Sequence, residues 1–444
     1  MIFKDYLSMA IVLAALAVLI LGAPLLAKIF KLSNEDTRKF VHLIMGLSAV
    51  PFPWVFSSAL PLVILLVVVC LLLAGLRKMP DCPTKRVLFG VERRSFGEIF
   101  FPIAITLLFI LAGTNHSFYV IPVAVLALAD SLAALVGTRI GLRKYRCLDG
   151  TKTVEGSLTF FLSAFLCSFT VLSLTPLEFH GQRLIVSLIL ALVATTCEGM
   201  SFGGLDNLLV PLASFFTLVR CETLESGELF YHCLVLLAIA TSVLMLKRRS
   251  TLEGGATLAV LGYGFIAHAM GGLLWLGLPF ILFTFYRLLL PIRFQQGHKH
   301  TILAVISVAF GGLAWLFAYD KLESPAFLYP YALGMAINAS IIASAHIRLH
   351  SFNAAKTLKI KLRQVALNSL KSFTLLMLPL LLVAGKDPLL LANLAVSPLW
   401  IFNFTLIFLL IKNQNPLKIT SRGRWLKQGL CASIGSLLAF AVAF

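Results

Sequence analysis

Charge is what this chain has least of. Asp, Glu, Lys and Arg together make up 13% of its residues, about half the usual share of a soluble domain. Hydrophobic residues make up 59%, and the mean hydropathy is +0.95. Too few polar side chains remain to cover a water-facing surface, so a soluble globular class is excluded. Acidic residues are scarcer than basic ones, 19 against 37, giving a formal charge of +18. In a soluble chain that surplus would suggest nucleic acid; in one this apolar, loop bias beside a membrane explains it better, and no nucleic-acid partner is expected. The eight cysteines are scattered with no C-x-x-C pair, which argues against both a disulfide framework and a zinc site. The first apolar run, Leu7–Ala27, lacks an A-x-A-like cleavage site and is long for a signal core, so it reads as a retained span.

What is present is a succession of apolar runs. Nine fall before residue 250: Leu7–Ala27, Val41–Val55, Ser58–Leu76, Ile99–Ala112, His116–Ile140, Val154–Leu174, Arg183–Cys197, Leu208–Leu218 and Leu229–Leu246. Seven follow: Ala256–Met270, Leu273–Leu290, Ile302–Ala318, Phe327–Ser344, Ala366–Ala384, Leu389–Ile411 and Leu430–Phe444. The pattern predicts an all-α, polytopic integral membrane bundle of about sixteen transmembrane helices in two halves, 1–250 and 251–444. With the N-terminus outside, the alternate loops near 28–39, 77–95, 139–152, 247–253, 287–299, 348–371 and 412–427 hold 32 of the 37 Lys and Arg residues. The positive-inside rule then places those loops in the cytoplasm.

Leu126–Ser157 stands out within the first half. Asp130 lies past the middle of an apolar helix, where insertion of a carboxylate costs roughly 2.5–3.5 kcal/mol, so it marks a functional site by default. Ala134, Gly137 and Gly141 follow on the same helical face, where small residues let another helix or a ligand approach closely. Arg139, Arg143, Lys144, Arg146 and Lys152 come next, and the stretch ends on Gly150-Thr151-Lys152-Thr153-Val154-Glu155-Gly156-Ser157 as another apolar run begins. A helix start with a lysine and two threonines suits phosphate, and Glu155 with Asp130 suits Mg²⁺. The plainer alternative is a threonine cap among membrane-anchoring basic residues.

The pattern D-S-x-A-A-x-x-G-x-x-x-G from Asp130 to Gly141, then K-T-x-E-G-S from Lys152 to Ser157, resembles the CTP-dependent polyprenol kinases, which include phytol and dolichol kinases. Three further motifs occur in the matching order: Arg38-Lys39-x-x-His42, Glu198-x-x-Ser201 and Asp206-Asn207-x-x-x-Pro211. The resemblance covers roughly residues 33–250. It implies an integral-membrane kinase that moves the γ-phosphate of CTP to a lipid alcohol drawn from the bilayer. Arg38, Lys39, Arg139, Lys152, Thr153 and Asn207 would then bind nucleotide or phosphate. Asp130, Glu155 and Glu198 would hold Mg²⁺, and Asp130, Asp206 and His42 would be catalytic, Asp206 or His42 helping to deprotonate the hydroxyl.

The remaining features rank below these. Glu92 and Glu98 are weaker site candidates, and Arg93 and Arg94 read as snorkelling anchors. Ser250–Ala256 with Gly262, Gly271 and Gly272 faintly resembles the membrane family that includes phytyl-phosphate kinase, but the later Asp-bearing, Gly-rich motifs of that family have no counterpart. Two rival functions follow from the same residues. A phosphatidate cytidylyltransferase would share CTP and a K-T-x-E-G-like pattern, but its C-terminal signature is missing. A transporter or flippase would fit the span count, but the 130–157 pattern does not recur after residue 250.

Overall fold

The computed structural model describes residues 2–80, 82–89, 95–175, 182–247, 250–289, 300–350, 358–385, 387–411 and 422–443. Glu92, Arg93, Arg94, Arg248 and Arg249 lie outside that set. The chain divides into two compact units, 1–236 and 237–444. The division falls inside a helix, one helical stretch before the polar junction at Ser250 that the sequence suggests.

The first unit holds α1 (Ile2–Ile29), α2 (Asn34–Ala49), α3 (Phe52–Val55), α4 (Leu60–Lys78), α5 (Pro83–Phe89), α6 (Gly97–Ala112) and α7 (His116–Ile140). A two-stranded antiparallel hairpin follows, β1 (Lys144–Cys147) and β2 (Gly150–Thr153), with Lys144 opposite Thr153. Then come α8 (Val154–Leu174), α9 (Arg183–Met200), α10 (Asp206–Glu222) and α11 (Ser226–Leu246), the last shared with the second unit. The second unit continues with α12 (Gly254–Phe285), α13 (Ile302–Leu322), α14 (Leu328–His350), α15 (Leu358–Leu376), α16 (Leu381–Ala384), α17 (Pro388–Ile411) and α18 (Arg422–Ala443).

Twelve helices among the described residues are long and apolar enough to cross a membrane. The chain is an all-α, multi-pass integral membrane bundle, with the short hairpin as a local exception. Sixteen runs reduce to twelve for identifiable reasons. Val41–Val55 is split, α2 ending at Ala49 and the four-residue α3 beginning after Pro51. Helix α6 has 16 residues, and α10 has 17 with Asp206, Arg220 and Glu222 at its ends. The runs 256–270 and 273–290 join in α12 across Gly272, whose φ of +75° breaks the helix. A methyl on Gly264 would lie 3.3 Å from Leu276, whereas twelve residues of straight helix would separate the two by about 18 Å. The arms of α12 therefore fold back on each other.

Each unit is built around one enclosed helix. In the first it is α7, buried from Phe118 almost continuously to Ser131, with alanines at 124, 127, 129 and 133 that let neighbours pack close. In the second it is α14, where Asn338, Ser340 and Ser344 are paired with other side chains of the unit, as a bilayer demands. Asn338 accepts from Gln428 at 3.2 Å, Thr405 donates to Ser340 at 2.9 Å, and Asn368 donates to Ser344 at 2.9 Å.

Candidate functional site

At one end of the first unit, α4, α7 and α9 finish and α2, α6, α8 and α10 begin. A cavity of about 730 Å³ opens there, lined by six carboxylates and four Lys and Arg side chains above an apolar wall that includes Ile20, Met45, Leu73 and Phe101. The motifs spread over 170 residues of sequence meet in it.

Helix α2 starts at Ser33, whose hydroxyl accepts the N–H of Asp36 at 3.1 Å. Glu35 and Asp36 in its first turn complement the positive end of the helix dipole. Arg38 is held by Glu35 through two contacts, 2.6 and 3.0 Å. Lys39 and His42 project three residues apart from one face. Lys39 Nζ meets Asp130 Oδ2 at 2.6 Å, and His42 Nε2 stands 3.6 Å from the same oxygen. The imidazole packs edge-on against Phe101 at 4.9 Å between ring centroids, and its Nε2 is buried without a hydrogen bond. One turn on, a methyl at Gly46 would overlap Ala127. That close approach of α2 to α7 brings Lys39 within reach of Asp130.

A second ion pair closes the other side. Lys152, on β2, donates to the Glu198 carboxylate at 2.8 Å and also to the Glu198 main-chain carbonyl. Burial opposes the lysine charge, but the carboxylates of Glu198 and Asp206 outweigh it, so its pKa lies above the ordinary lysine value. Glu198 is itself buried, and its second oxygen, Oε2, has no partner among the described residues. Beyond it the chain turns through Gly203 and Gly204, with φ of +62° and +86°. A methyl on Gly204 would run into the backbone of Gly97, so glycine is needed for both conformation and space. Asp206 and Asn207 open α10 and line the cavity. The Asp206 carboxylate is within electrostatic reach of Arg38, His42 and Lys152.

Three expected residues have other places. Glu155 lies outside the cavity lining, and its carboxylate accepts the N–H groups of Leu142 and Arg143 at 3.1 Å. Helix α7 gives way to extended backbone at Gly141, which leaves those donors free for it. Arg139 is exposed and outside the cavity lining. Thr153 lines the cavity, but its hydroxyl caps α8 by accepting the N–H of Gly156 at 3.1 Å. Asp130, Arg38, Lys39, His42, Lys152, Glu198, Asp206 and Asn207 do come together.

Among the other lining residues, Arg77 and Asp149 were not legible as site residues, and Glu98 only weakly so. Arg77 donates to the Ser95 carbonyl at 2.7 Å and pairs with Glu98 at 3.1 Å. Asp149, at the hairpin tip, accepts the N–H of Gly203 at 2.7 Å, while Phe96 N–H donates to the Gly203 carbonyl at 2.9 Å. Glu98 had a visible signal, a carboxylate opening an apolar run. Arg77 was hidden among loop basics, and nothing near Asp149 in sequence announces its partner.

Among the described residues no three His, Cys, Asp or Glu side chains cluster as a metal site. Mg²⁺ does not require that, since it is commonly held by one or two carboxylates plus waters and substrate phosphates. The unpartnered Oε2 of Glu198 and the nearby Asp206 fit that donor set; Asp130, already committed to Lys39, fits it less well.

A phytol kinase of Synechocystis sp. is 34% identical over 202 residues, which are 45% of this chain and 84% of that relative. The relative is thus too short to match both units. No protein-family model matches the chain, and no solved structure matches significantly.

Proposed function

The chain belongs to the phytol kinase family, and on that premise we propose that it transfers the γ-phosphate of CTP to a prenol-type lipid alcohol in this cavity. The observation that carries the reading is the joining of two environments in one space. Paired lysines and carboxylates sit toward the end of the bundle, and Ile20, Met45, Leu73 and Phe101 form an apolar wall beside them. A phosphate donor and a lipid acceptor need those two surroundings side by side.

Lys152, Arg38 and Lys39 supply positive charge for the nucleotide phosphates, with Asn207 as a neutral hydrogen-bonding partner. Glu198 and Asp206 are the residues that would hold Mg²⁺, which when bound neutralises phosphate oxygens in the transition state. Six carboxylates against four Lys and Arg make the lining acidic overall, so a polyanion needs an accompanying cation there. His42 stands at the border of the two environments with Nε2 unbonded and 3.6 Å from the Asp130 carboxylate. In this reading Nε2 takes the alcohol proton, and the carboxylate beside that nitrogen stabilises the imidazolium that forms. The rest of the catalysis is positioning and charge stabilisation. The basic loops of the positive-inside count support a cytoplasmic mouth, where CTP is available.

Purified protein in detergent with γ-labelled CTP, Mg²⁺ and phytol, farnesol, geranylgeraniol, dolichol or diacylglycerol tests this. Labelled lipid phosphate with release of CDP is the expected result. Pyrophosphate release would make the protein a cytidylyltransferase instead, and absence of transfer to every alcohol would overturn the kinase assignment.

A further inference from the structure

The small-residue face of α7 is the obvious place for a lipid chain, but it is filled. A methyl on Gly137 would lie 2.9 Å from Thr153 Oγ1, and one on Gly156 would lie 3.0 Å from the Ala133 carbonyl and 3.3 Å from Gly137 Cα. That face is therefore the seam between α7 and α8. The α2–α7 boundary is shut in the same way by Gly46 on Ala127, and the α6–α10 boundary by Gly97 against Gly204 and Asn207.

Helix α1 is held differently. Only 6% of its membrane-spanning window is buried, against 67% for α7. Its seam with α2 is a small cluster, Leu19 and Ala23 on Val41 and Met45. The helix also packs against α4, and there Ile20 of α1 and Leu73 of α4 both line the cavity. Their neighbours Leu21 and Leu72, 70% and 58% exposed, face away from the protein.

Resting on the kinase reading above, we propose that the hydrocarbon chain of the lipid alcohol leaves the cavity between α1 and α4. It runs against Ile20 and Leu73, with its hydroxyl end near Phe101 and His42. Ile20 and Leu73 are then specificity-determining residues: they contact the chain and not the reacting atoms. The α7–α8, α2–α7 and α6–α10 boundaries are closed by backbone-level packing that no side-chain rotation opens, whereas at α1–α4 the cavity is bounded by two flexible aliphatic side chains. A bilayer-resident alcohol enters sideways by this route without its chain crossing water.

The test compares wild type with Ile20→Trp, Leu73→Trp and the outward-facing control Leu21→Trp. Acceptors are geranylgeraniol, with a twenty-carbon chain, and geraniol, with ten. Filling the exit should raise KM for the longer alcohol roughly tenfold or more, change KM for the shorter one far less, and leave KM for CTP alone; Leu21→Trp should match wild type. Unchanged long-chain kinetics in both filled variants, or equal losses with both alcohols, would overturn the proposal. A geranylgeraniol carrying a diazirine at its far end supplies a readout independent of turnover. Cross-links to α1 and α4 peptides support the route, and cross-links confined to α7 and α8 refute it. If wild type phosphorylates neither these two alcohols nor any acceptor named above, the kinase reading fails, while the cross-link map still decides where the chain lies.

Discussion

Replacing Lys152 with methionine tests the ion pair on which the nucleotide side of the cavity rests. The side chain keeps its length and loses its charge, so the change isolates electrostatics from packing. Lys152 and Glu198 are mostly buried, with side chains 17% and 12% exposed. Removing one partner strands a carboxylate whose other oxygen already lacks a bond, a loss of about 3–5 kcal/mol for a buried pair. In a unit of this size that corresponds to a melting point lower by roughly 6–15 °C. Lys152→Met/Glu198→Gln should recover most of the drop, because the stranded charge is gone. Neither variant should recover CTP affinity, and Lys152→Arg, which keeps the charge, should fall between wild type and Lys152→Met. The pH dependence has a definite sign. A lysine whose folded pKa is raised stabilises fully below its unfolded value of about 10.4 and loses that contribution as pH rises through the folded value. The melting gap between wild type and Lys152→Met should be flat from about pH 7 to 9 and narrow only above about 10.4. Thermal denaturation followed by size exclusion, with CTP titrations at matched pH, measures each quantity. A Lys152→Met protein that melts and binds CTP like wild type would refute the electrostatic account.

Asp130→Asn should insert normally and lose phosphate transfer, since a neutral side chain is easier to place in a bilayer yet cannot neutralise Lys39 or stabilise a charged His42; normal turnover would remove Asp130 from the chemistry. Gly204→Ala should destabilise the first unit by about 1–3 kcal/mol from its left-handed conformation, and by more from the overlap with Gly97, seen as a lowered melting point together with weakened CTP binding. A fragment of residues 1–250 should retain CTP-dependent transfer with reduced stability, because every cavity-lining residue lies between Ile20 and Asn207; a monodisperse fragment that binds CTP but transfers nothing until 251–444 is added back would show otherwise.

The sequence announced those parts of the site that violate the rules of a membrane helix. Asp130 was legible because a carboxylate has no business deep in an apolar run, and Glu198 and Asp206 because glycines between them mark irregular backbone at a helix end. Lys152 was legible from its place before a helix start. The place of Glu155 was not legible, because a carboxylate near a helix start can serve a ligand or the loop donors beside it, and the fold of 141–155 sets it on Leu142 and Arg143. Arg77 and Asp149 depend on partners 21 and 54 residues away, and pairwise geometry at that range leaves no local pattern. The count of sixteen runs exceeds the twelve long apolar helices where Pro51 divides one run, where α6 and α10 are short, and where two runs are the arms of α12 on either side of Gly272.

The pairing of Lys39 with Asp130 and of Lys152 with Glu198 has a stoichiometric consequence. Each of these two lysines is neutralised by a carboxylate of the same chain. A phosphate that takes Lys152 evicts a carboxylate, and in surroundings this dry the evicted group needs a counter-ion of its own. Loading is then a double displacement, in which one salt and another exchange partners. Anion and divalent cation enter as a set, and nucleotide without metal, or metal without nucleotide, should find the lysine and the glutamate still holding each other.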